Sequence, residues 1–177
     1  MIIGVTALSR GKMLAMMRVP WTFTYKVAVV SITDNTEPDE IGDDFGLGNW
    51  VDTEIGRFRL QSRGVDDAIS LCFGDFGENE IRNRPELLDQ VLTAEQARKL
   101  IQFLDRVHAR PGSVFMAVHC GAGISRSAGV AEFVVERYHL DWNRYVEKHQ
   151  HTQPNHHVLR TLRAVALALE AEHAPTK

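Results

Sequence analysis

Nine consecutive residues, His119 to Ser127 with the sequence HCGAGISRS, constrain this chain more than any other stretch. They follow the apolar run Val114–Val118, which has the length and composition of a short buried strand. They precede Ala128–Tyr138, whose apolar residues recur at helical spacing. In such a unit the loop amides and the first N–H groups of the helix can converge on one oxyanion. The sequence therefore predicts a strand, an anion-binding loop and a helix in succession.

The two ends of this loop carry groups suited to phosphate chemistry. Cys120 opens the loop, and Arg126 closes it with a planar guanidinium that can hold two phosphate oxygens at once. The amides, the helix dipole and the guanidinium all favour a charged sulfur, so we expect Cys120 to be a thiolate and a nucleophile near neutral pH. Gly121 and Gly123 let the backbone turn its N–H groups inward.

The nonapeptide resembles the HC-x5-R-[ST] signature of the protein tyrosine phosphatase superfamily and is most similar to its dual-specificity branch. The segment Leu71–Phe76 (LCFGDF) resembles the strand-then-aspartate segment of small bacterial phosphatases of this type. The resemblance implies a cysteine-dependent phosphomonoester hydrolase that forms a cysteinyl-phosphate intermediate. It further implies that no metal or cofactor is needed and that phosphate or another oxyanion binds in the loop.

The resemblance also assigns roles. His119 would hydrogen-bond backbone near the thiol, Ser127 would donate to the sulfur when it leaves, and an aspartate upstream would be the general acid. Asn155, in a Pro-Asn segment like that of dual-specificity relatives, would brace the active-site loops, although it is equally suited to capping a helix. The predicted catalytic residues are Cys120, Arg126, Asp75, Ser127 and His119. The predicted substrate-binding residues are Gly121, Ala122, Gly123, Ile124, Ser125 and Asn155.

Two aspartates compete for the role of general acid. Asp75 directly follows the strand Ile69–Phe73, and strand carboxyl ends lie at the ligand-binding edge of a parallel sheet. Asp89 is nearer to Cys120 in sequence but sits in the leucine-rich stretch 87–92. We predict Asp75 and keep Asp89 as the alternative.

The remaining pattern predicts an α/β fold: a central, mainly parallel sheet of four to five strands flanked by helices, in one domain over residues 1–177. Strands are expected in Trp21–Ile32, Ala68–Phe73 and Val114–Val118, with an edge strand at Arg57–Gln61. Thr33–Asn49 and Glu78–Leu92 are expected to be loops. Helices are expected from the capping box at Thr93 to about His108, from Asp141 to about Lys148, and after Pro154.

The composition limits the classes of partner and the compartment that we expect for this protein. A net charge of −3 offers no general attraction for nucleic acid or acidic membrane. Only Cys72 and Cys120 are present, which is typical of a reducing cytosol, and residues 1–20 resemble neither a signal peptide nor a membrane span. We therefore expect a cytoplasmic protein without nucleic-acid or membrane partners, while its oligomeric state stays open. Cys72 is expected to be a buried strand residue, with a redox partnership to Cys120 as the minor alternative, and the histidines at 149, 151, 156 and 157 are expected at the surface.

The expected substrate is a phosphorylated protein or peptide. The loop interior lacks the basic residues by which inositide phosphatases meet additional phosphates, so phosphotyrosine is favoured. Action on more than one phospho-residue stays open. The alternatives are a phospho-residue-binding module with little or no catalysis, and a phosphatase of the same loop family with a non-protein substrate.

Overall fold

The computed structural model describes residues 1–17, 24–33 and 65–172. The strands in these ranges are β1 (Ile2–Ser9), β2 (Lys26–Thr33), β3 (Val65–Cys72) and β4 (Val114–Cys120). The α-helices are α1 (Arg10–Met17), α2 (Glu78–Asn83), α3 (Ala94–Ala109), α4 (Arg126–Arg137), α5 (Trp142–Lys148) and α6 (His156–Glu172). A short 3-10 helix, Pro85–Asp89, follows α2.

The four strands form one parallel sheet in the order β1-β4-β2-β3. Every strand therefore ends at the same edge, where Ser9 lies beside Cys120 and His119 lies beside Ser31. The predicted α/β class with a mainly parallel sheet is confirmed, with four strands in the described part of the chain. This edge is where α/β proteins place their ligands.

Helices cover both faces of the sheet because alternate residues of a strand point to opposite sides. Ala28 and Val30 of β2 belong to the large core formed with α3, α4 and α6. Val27 and Val29 face the other way and pack with Met13 of α1. The alternation explains why β2, the strand predicted within Trp21–Ile32, is apolar on both faces.

The helix predicted from the capping box is confirmed. The Thr93 hydroxyl accepts from the Gln96 N–H at 3.2 Å, and the Gln96 side-chain oxygen accepts from the Thr93 N–H at 3.0 Å. α3 then runs to Ala109, one residue past the predicted end. Asp141 caps α5 by accepting from the Arg144 N–H at 3.1 Å, and the final predicted helix is α6.

Two expectations differ from the structure. The predicted loop Glu78–Leu92 is largely helical, because the Glu80 carboxylate closes the first turn of α2 on the Gly77 N–H at 2.8 Å. The strand Ala68–Phe73 was expected to be a core strand, but it forms part of β3, which lies at one edge of the described sheet and is only half-buried over much of its length. Neither β1 nor α1 was predicted from the sequence.

The expected loop Thr33–Asn49, apart from its first residue, and the expected edge strand Arg57–Gln61 lie outside the described residues. The prediction of one domain over residues 1–177 stays a prediction. Across residues 1–17, 24–33 and 65–172, no helix is both long and apolar enough to cross a bilayer.

Candidate active site

The loop Gly121–Ser125 joins β4 to α4 at the carboxyl edge of the sheet. Gly123 has φ of 76°, the left-handed region that favours glycine. A Cβ at this position would lie 2.2 Å from the backbone nitrogen of Ser9 and 2.4 Å from the carbonyl carbon of Leu8. The loop thus turns tightly against the end of β1, and only glycine fits there.

The sulfur of Cys120 lies inside this turn. The Gly123 N–H donates to Sγ at 3.3 Å, and the Ser127 hydroxyl oxygen lies 3.2 Å from it. Cys120 is 1% exposed and Ser127 is fully buried. The sulfur is therefore enclosed by polar groups of its own loop and of the start of α4.

Other backbone groups of the loop are held from outside. The Gly121 carbonyl accepts from the Arg10 N–H at 3.0 Å, and the Ile124 carbonyl accepts from the Gln153 N–H at 2.9 Å. With these carbonyls turned outward, the N–H groups of Ala122 and Ile124 donate to no described residue. N–H groups without a protein partner in a glycine-containing loop are the donors that an anion-binding nest requires.

The Arg126 side chain is 6% exposed. Its Nη1 donates to the Phe73 carbonyl at 2.9 Å, just beyond the end of β3. Its Nε lies 3.8 Å from Oδ2 of Asp75. The guanidinium therefore connects the signature loop to the segment that follows β3.

Asp75 is held by three groups. Its Oδ1 accepts from the Ser125 hydroxyl at 2.6 Å and from the side-chain amide of Asn155 at 2.9 Å, while Oδ2 faces Arg126. About one third of its side chain is exposed, so the carboxylate lies at the rim of the site.

Asn155 joins three segments of the chain. Its side-chain amide donates to Asp75 and also to the Phe76 carbonyl at 3.2 Å. Its Oδ1 accepts from the Val158 N–H at 3.1 Å and so caps α6. Its backbone N–H donates to the Ser125 carbonyl at 3.2 Å. The bracing role and the capping role, weighed as alternatives from sequence, are combined in one side chain.

His119 is completely buried on β4 beside Ser31. Burial, with a smaller effect from the nearby Arg10 guanidinium, lowers the pKa of His119 to about 3. Neither ring nitrogen has a hydrogen-bond partner within the described residues, so the expected bond from this ring to backbone near the thiol is not found there. The neutral ring is therefore buried one residue before Cys120.

Comparison with known proteins identifies the architecture. No protein-family model and no curated protein matches the chain. Solved structures do match: the human tyrosine phosphatase-like serine/threonine/tyrosine-interacting protein is 16% identical, with 92% of this chain and 87% of that chain covered and a TM-score of 0.49. The Yvh1 phosphatase domain from Chaetomium thermophilum is 18% identical, with 99% and 93% covered and a TM-score of 0.40.

PTPMT1, solved in complex with PI(5)P, is 17% identical over 97% of this chain and 95% of that chain, with a TM-score of 0.51. The chain has the protein tyrosine phosphatase fold. The resemblance that HCGAGISRS suggested is confirmed at the level of architecture, since identities this low are informative about the fold alone. The roles of individual residues in the phosphatase fold stay predictions.

The two candidate acids lie in different surroundings of this phosphatase fold. Asp75 contacts the signature loop directly. Asp89 ends the 3-10 helix with an exposed side chain, and no hydrogen bond or ion pair joins it to a residue of the described chain. Its neighbour Gln90 approaches the site only through the backbone, where its carbonyl accepts from Gly74. The geometry favours Asp75.

The second cysteine is remote from the first. Cys72 ends β3, and β2 separates β3 from β4, which carries Cys120. Two strand spacings place the Cα atoms roughly 10 Å apart, beyond the span of a disulfide. Cys72 is only half-buried, so the expectation of a buried strand residue is wrong in that respect.

The expectation of surface histidines fails at His149. This ring is 9% exposed, its Nε2 accepts from the Ala7 N–H at 3.1 Å, and its Nδ1 lies 2.8 Å from the Tyr145 carbonyl. It ties α5 to β1, which flanks the signature loop. His157 is half-buried, whereas His151 and His156 are exposed as expected. The described residues contain no group of side chains suited to a metal ion.

Three contributors to the site were missed from sequence. The carbonyls of Phe73 and Phe76 hold Arg126 and Asn155, and the Gln153 N–H holds the loop at Ile124. These are backbone groups, so residue type carries no signal for them. Ser125 was expected to bind substrate, and the contact of its hydroxyl with Asp75 was not foreseen.

Proposed function

We propose that this protein is a cysteine-dependent phosphatase that hydrolyses phosphomonoesters on proteins, with phosphotyrosine as the preferred residue. One observation carries the proposal: Cys120 Sγ accepts from the Gly123 N–H and lies 3.2 Å from the Ser127 hydroxyl, while Arg126 and Asp75 face each other 3.8 Å apart. Nucleophile, cation and acid are the three groups that phosphoryl transfer through a covalent intermediate requires.

In the first step the Cys120 thiolate attacks phosphorus in line with the ester oxygen. The loop amides and the Arg126 guanidinium hold the equatorial oxygens, where charge is spread in the transition state. A sulfur–phosphorus bond forms as the phosphorus–oxygen bond breaks. Asp75 gives its proton to the departing oxygen and becomes a carboxylate.

In the second step the Asp75 carboxylate takes a proton from water, and the water oxygen attacks the cysteinyl-phosphate. The sulfur–phosphorus bond breaks and the Cys120 thiolate returns. The Ser127 hydroxyl, 3.2 Å from Sγ, is placed to donate to the sulfur as its charge develops. Inorganic phosphate then leaves the loop and Asp75 is again protonated.

The surface beside the acid favours an extended substrate. A groove of about 1220 Å³ begins at Asp75 and Ser125 and continues along the start of α6. Its walls carry both signs of charge, including an ion pair of 3.0 Å between Glu78 and Arg160. Mixed, polar walls suit a peptide backbone that flanks a phosphorylated side chain.

An inositide phosphate is the less favoured substrate. No lysine lies within Gly121–Ser125, so the loop offers additional phosphates no cation of its own. PTPMT1 was solved with PI(5)P, and that lipid is therefore the appropriate competitor in a substrate test. A binding module without catalysis is disfavoured because Cys120, Arg126 and Asp75 are all present and lie together. Both cysteines are free, which supports our placement of the reaction in a reducing cytosol.

The test compares initial rates on three substrates: a phosphotyrosine peptide, the same peptide with phosphothreonine, and PI(5)P in detergent micelles. We expect turnover of the phosphotyrosine peptide and none with Cys120→Ser, which should still bind phosphate. Turnover of both peptides would indicate that the enzyme accepts phosphothreonine as well as phosphotyrosine. Hydrolysis of PI(5)P alone would overturn the substrate proposal, and activity in Cys120→Ser would overturn the mechanism.

A further inference from the structure

A short hydrogen bond joins the Ser125 hydroxyl of the signature loop to Asp75. Ser125 Oγ donates to Oδ1 of Asp75 at 2.6 Å, although the two residues are 50 positions apart in sequence. A hydroxyl donating to a carboxylate at this distance is a strong, charge-assisted hydrogen bond. The signature loop thus contacts the acid as well as the phosphate.

The two oxygens of the Asp75 carboxyl group have different surroundings. Oδ1 receives two donors, the Ser125 hydroxyl and the Asn155 amide at 2.9 Å. Oδ2 faces Arg126, whose Nε lies 3.8 Å away, outside hydrogen-bond distance. A proton on Oδ1 would have to compete with two N–H or O–H groups already directed at that atom. The proton of a neutral Asp75 is therefore placed on Oδ2.

The backbone of Ser125 is held in place by two N–H groups. The Ser125 carbonyl accepts from the Gly129 N–H at 2.9 Å inside α4 and from the Asn155 N–H at 3.2 Å. Ser125 and Asn155 are therefore bound to each other through the backbone and to the same Asp75 oxygen through their side chains. This closed set of contacts fixes the carboxyl group relative to the loop that binds phosphate.

We propose that Ser125 is a positioning residue for the general acid, which orients Asp75 so that Oδ2, the oxygen that faces Arg126, carries the transferred proton. The inference rests on the proposed function. During the first step the Oδ2 proton passes to the leaving oxygen as the phosphorus–oxygen bond breaks, and Ser125 keeps its bond to Oδ1. In the second step Oδ2 takes the proton back from water.

The test measures kcat and KM for aryl phosphates whose leaving phenols range from weakly to strongly basic. A strongly basic phenolate needs the acid's proton, whereas a weakly basic one departs without it. Ser125→Ala should therefore lower kcat about tenfold for the most basic phenol and leave it almost unchanged for the least basic. KM and inhibition by inorganic phosphate should not change. Ser125→Thr, which keeps the hydroxyl, should restore the rate.

A second measurement repeats Ser125→Ala in the Asp75→Asn background. If Ser125 acts through the acid, the additional loss should disappear there. A uniform loss across all leaving groups, with weaker phosphate inhibition, would overturn the inference and make Ser125 a phosphate ligand. An equal loss in the Asp75→Asn background would also overturn it. A wild-type chain that hydrolyses no aryl phosphate would instead overturn the proposed function, and the inference with it.

Discussion

The proposed site consists of two halves that are built in different ways. The half around the proposed nucleophile, the nucleophile half, is contiguous: Cys120, Gly123, Arg126 and Ser127 lie within one strand, one loop and one helix start. The half around the proposed acid, the acid half, is assembled from segments far apart in sequence. Asp75 follows β3 and meets Asn155 from 80 positions away. The first half depends on local backbone geometry, and the second depends on the whole fold.

This difference has an energetic consequence. The sulfur of Cys120 is buried and its contacts come from its own loop, so few motions can separate it from its partners. Asp75 is partly exposed and is held by side chains on two other segments. Damage to the fold should therefore impair proton transfer before it impairs phosphate binding.

The largest effect should come from the nucleophile. Cys120→Ser replaces the thiolate with a hydroxyl that is not ionised near neutral pH, and turnover of any phosphomonoester should fall by at least about 10⁴-fold. Phosphate binding should persist, because the loop amides and Arg126 are unchanged. Stopped-assay rates and phosphate titration by calorimetry check the two parts. Substantial activity in this variant would contradict the assignment of the nucleophile.

The next largest effect should come from the acid. Asp75→Asn should lower kcat by about 10²–10⁴-fold on a substrate with a basic leaving group and remove the limb of the pH profile that reports the acid. Asp89→Asn is the matched control, since Asp89 is exposed and apart from the loop. If Asp89→Asn alone lost that limb, the acid half would have to be reassigned.

Two substitutions of Asn155 should separate an effect on stability from an effect on the catalytic rate. Asn155→Ala removes the cap of α6 together with the bond to Asp75, so it should cost about 1–2 kcal/mol of unfolding free energy and about tenfold in kcat. Asn155→Ser keeps a capping oxygen but is too short to hold Asp75. It should regain much of the stability, measured by urea denaturation, without regaining the rate. If Asn155→Ser regained both the stability and the rate, the contact between Asn155 and Asp75 would be irrelevant to catalysis.

The last effect changes stability without a substitution, through the pH dependence of the nucleophile half. In the unfolded chain His119 takes up a proton near pH 6.5, whereas burial delays this to about pH 3 in the folded chain. Protons then favour the unfolded chain, so this contribution to stability is complete above pH 6.5 and falls as pH is lowered toward 3. At pH 5 the loss should be about 2 kcal/mol. Denaturation at pH 7 and pH 5 should show a smaller difference for His119→Asn.

The same division decides what could be predicted from sequence. The nucleophile half was predictable because its strand, glycines and helix are local signals, and so was α3, whose Thr93 capping box is a local pattern. α2 was missed because its first turn is closed by Glu80 on a glycine, a weak cap in sequence terms. The remaining features depend on tertiary contacts, which local sequence patterns do not reveal.

His149 was expected at the surface because a polar, histidine-rich stretch usually lies there. Its burial depends on β1, which is more than 140 residues away and supplies the Ala7 N–H. The contact between Ser125 and Asp75 has the same origin, because it arises only when β3 and β4 end at one edge of the sheet. The position of Asp75 in the sequence was enough to suggest it as the acid. The groups that hold Asp75 could be identified only from the folded structure.

If the proposed mechanism holds, Cys120 becomes covalently phosphorylated during turnover. Asp75→Asn with an aryl phosphate of weakly basic leaving group should form the intermediate without the acid and hydrolyse it slowly, so the intermediate should accumulate. Rapid acid quench and mass spectrometry of the Cys120 peptide should then find phosphate on that sulfur, and none in Cys120→Ser. Release of the phenol with no phosphate on Cys120 at any time, or with phosphate on another residue, would contradict the account.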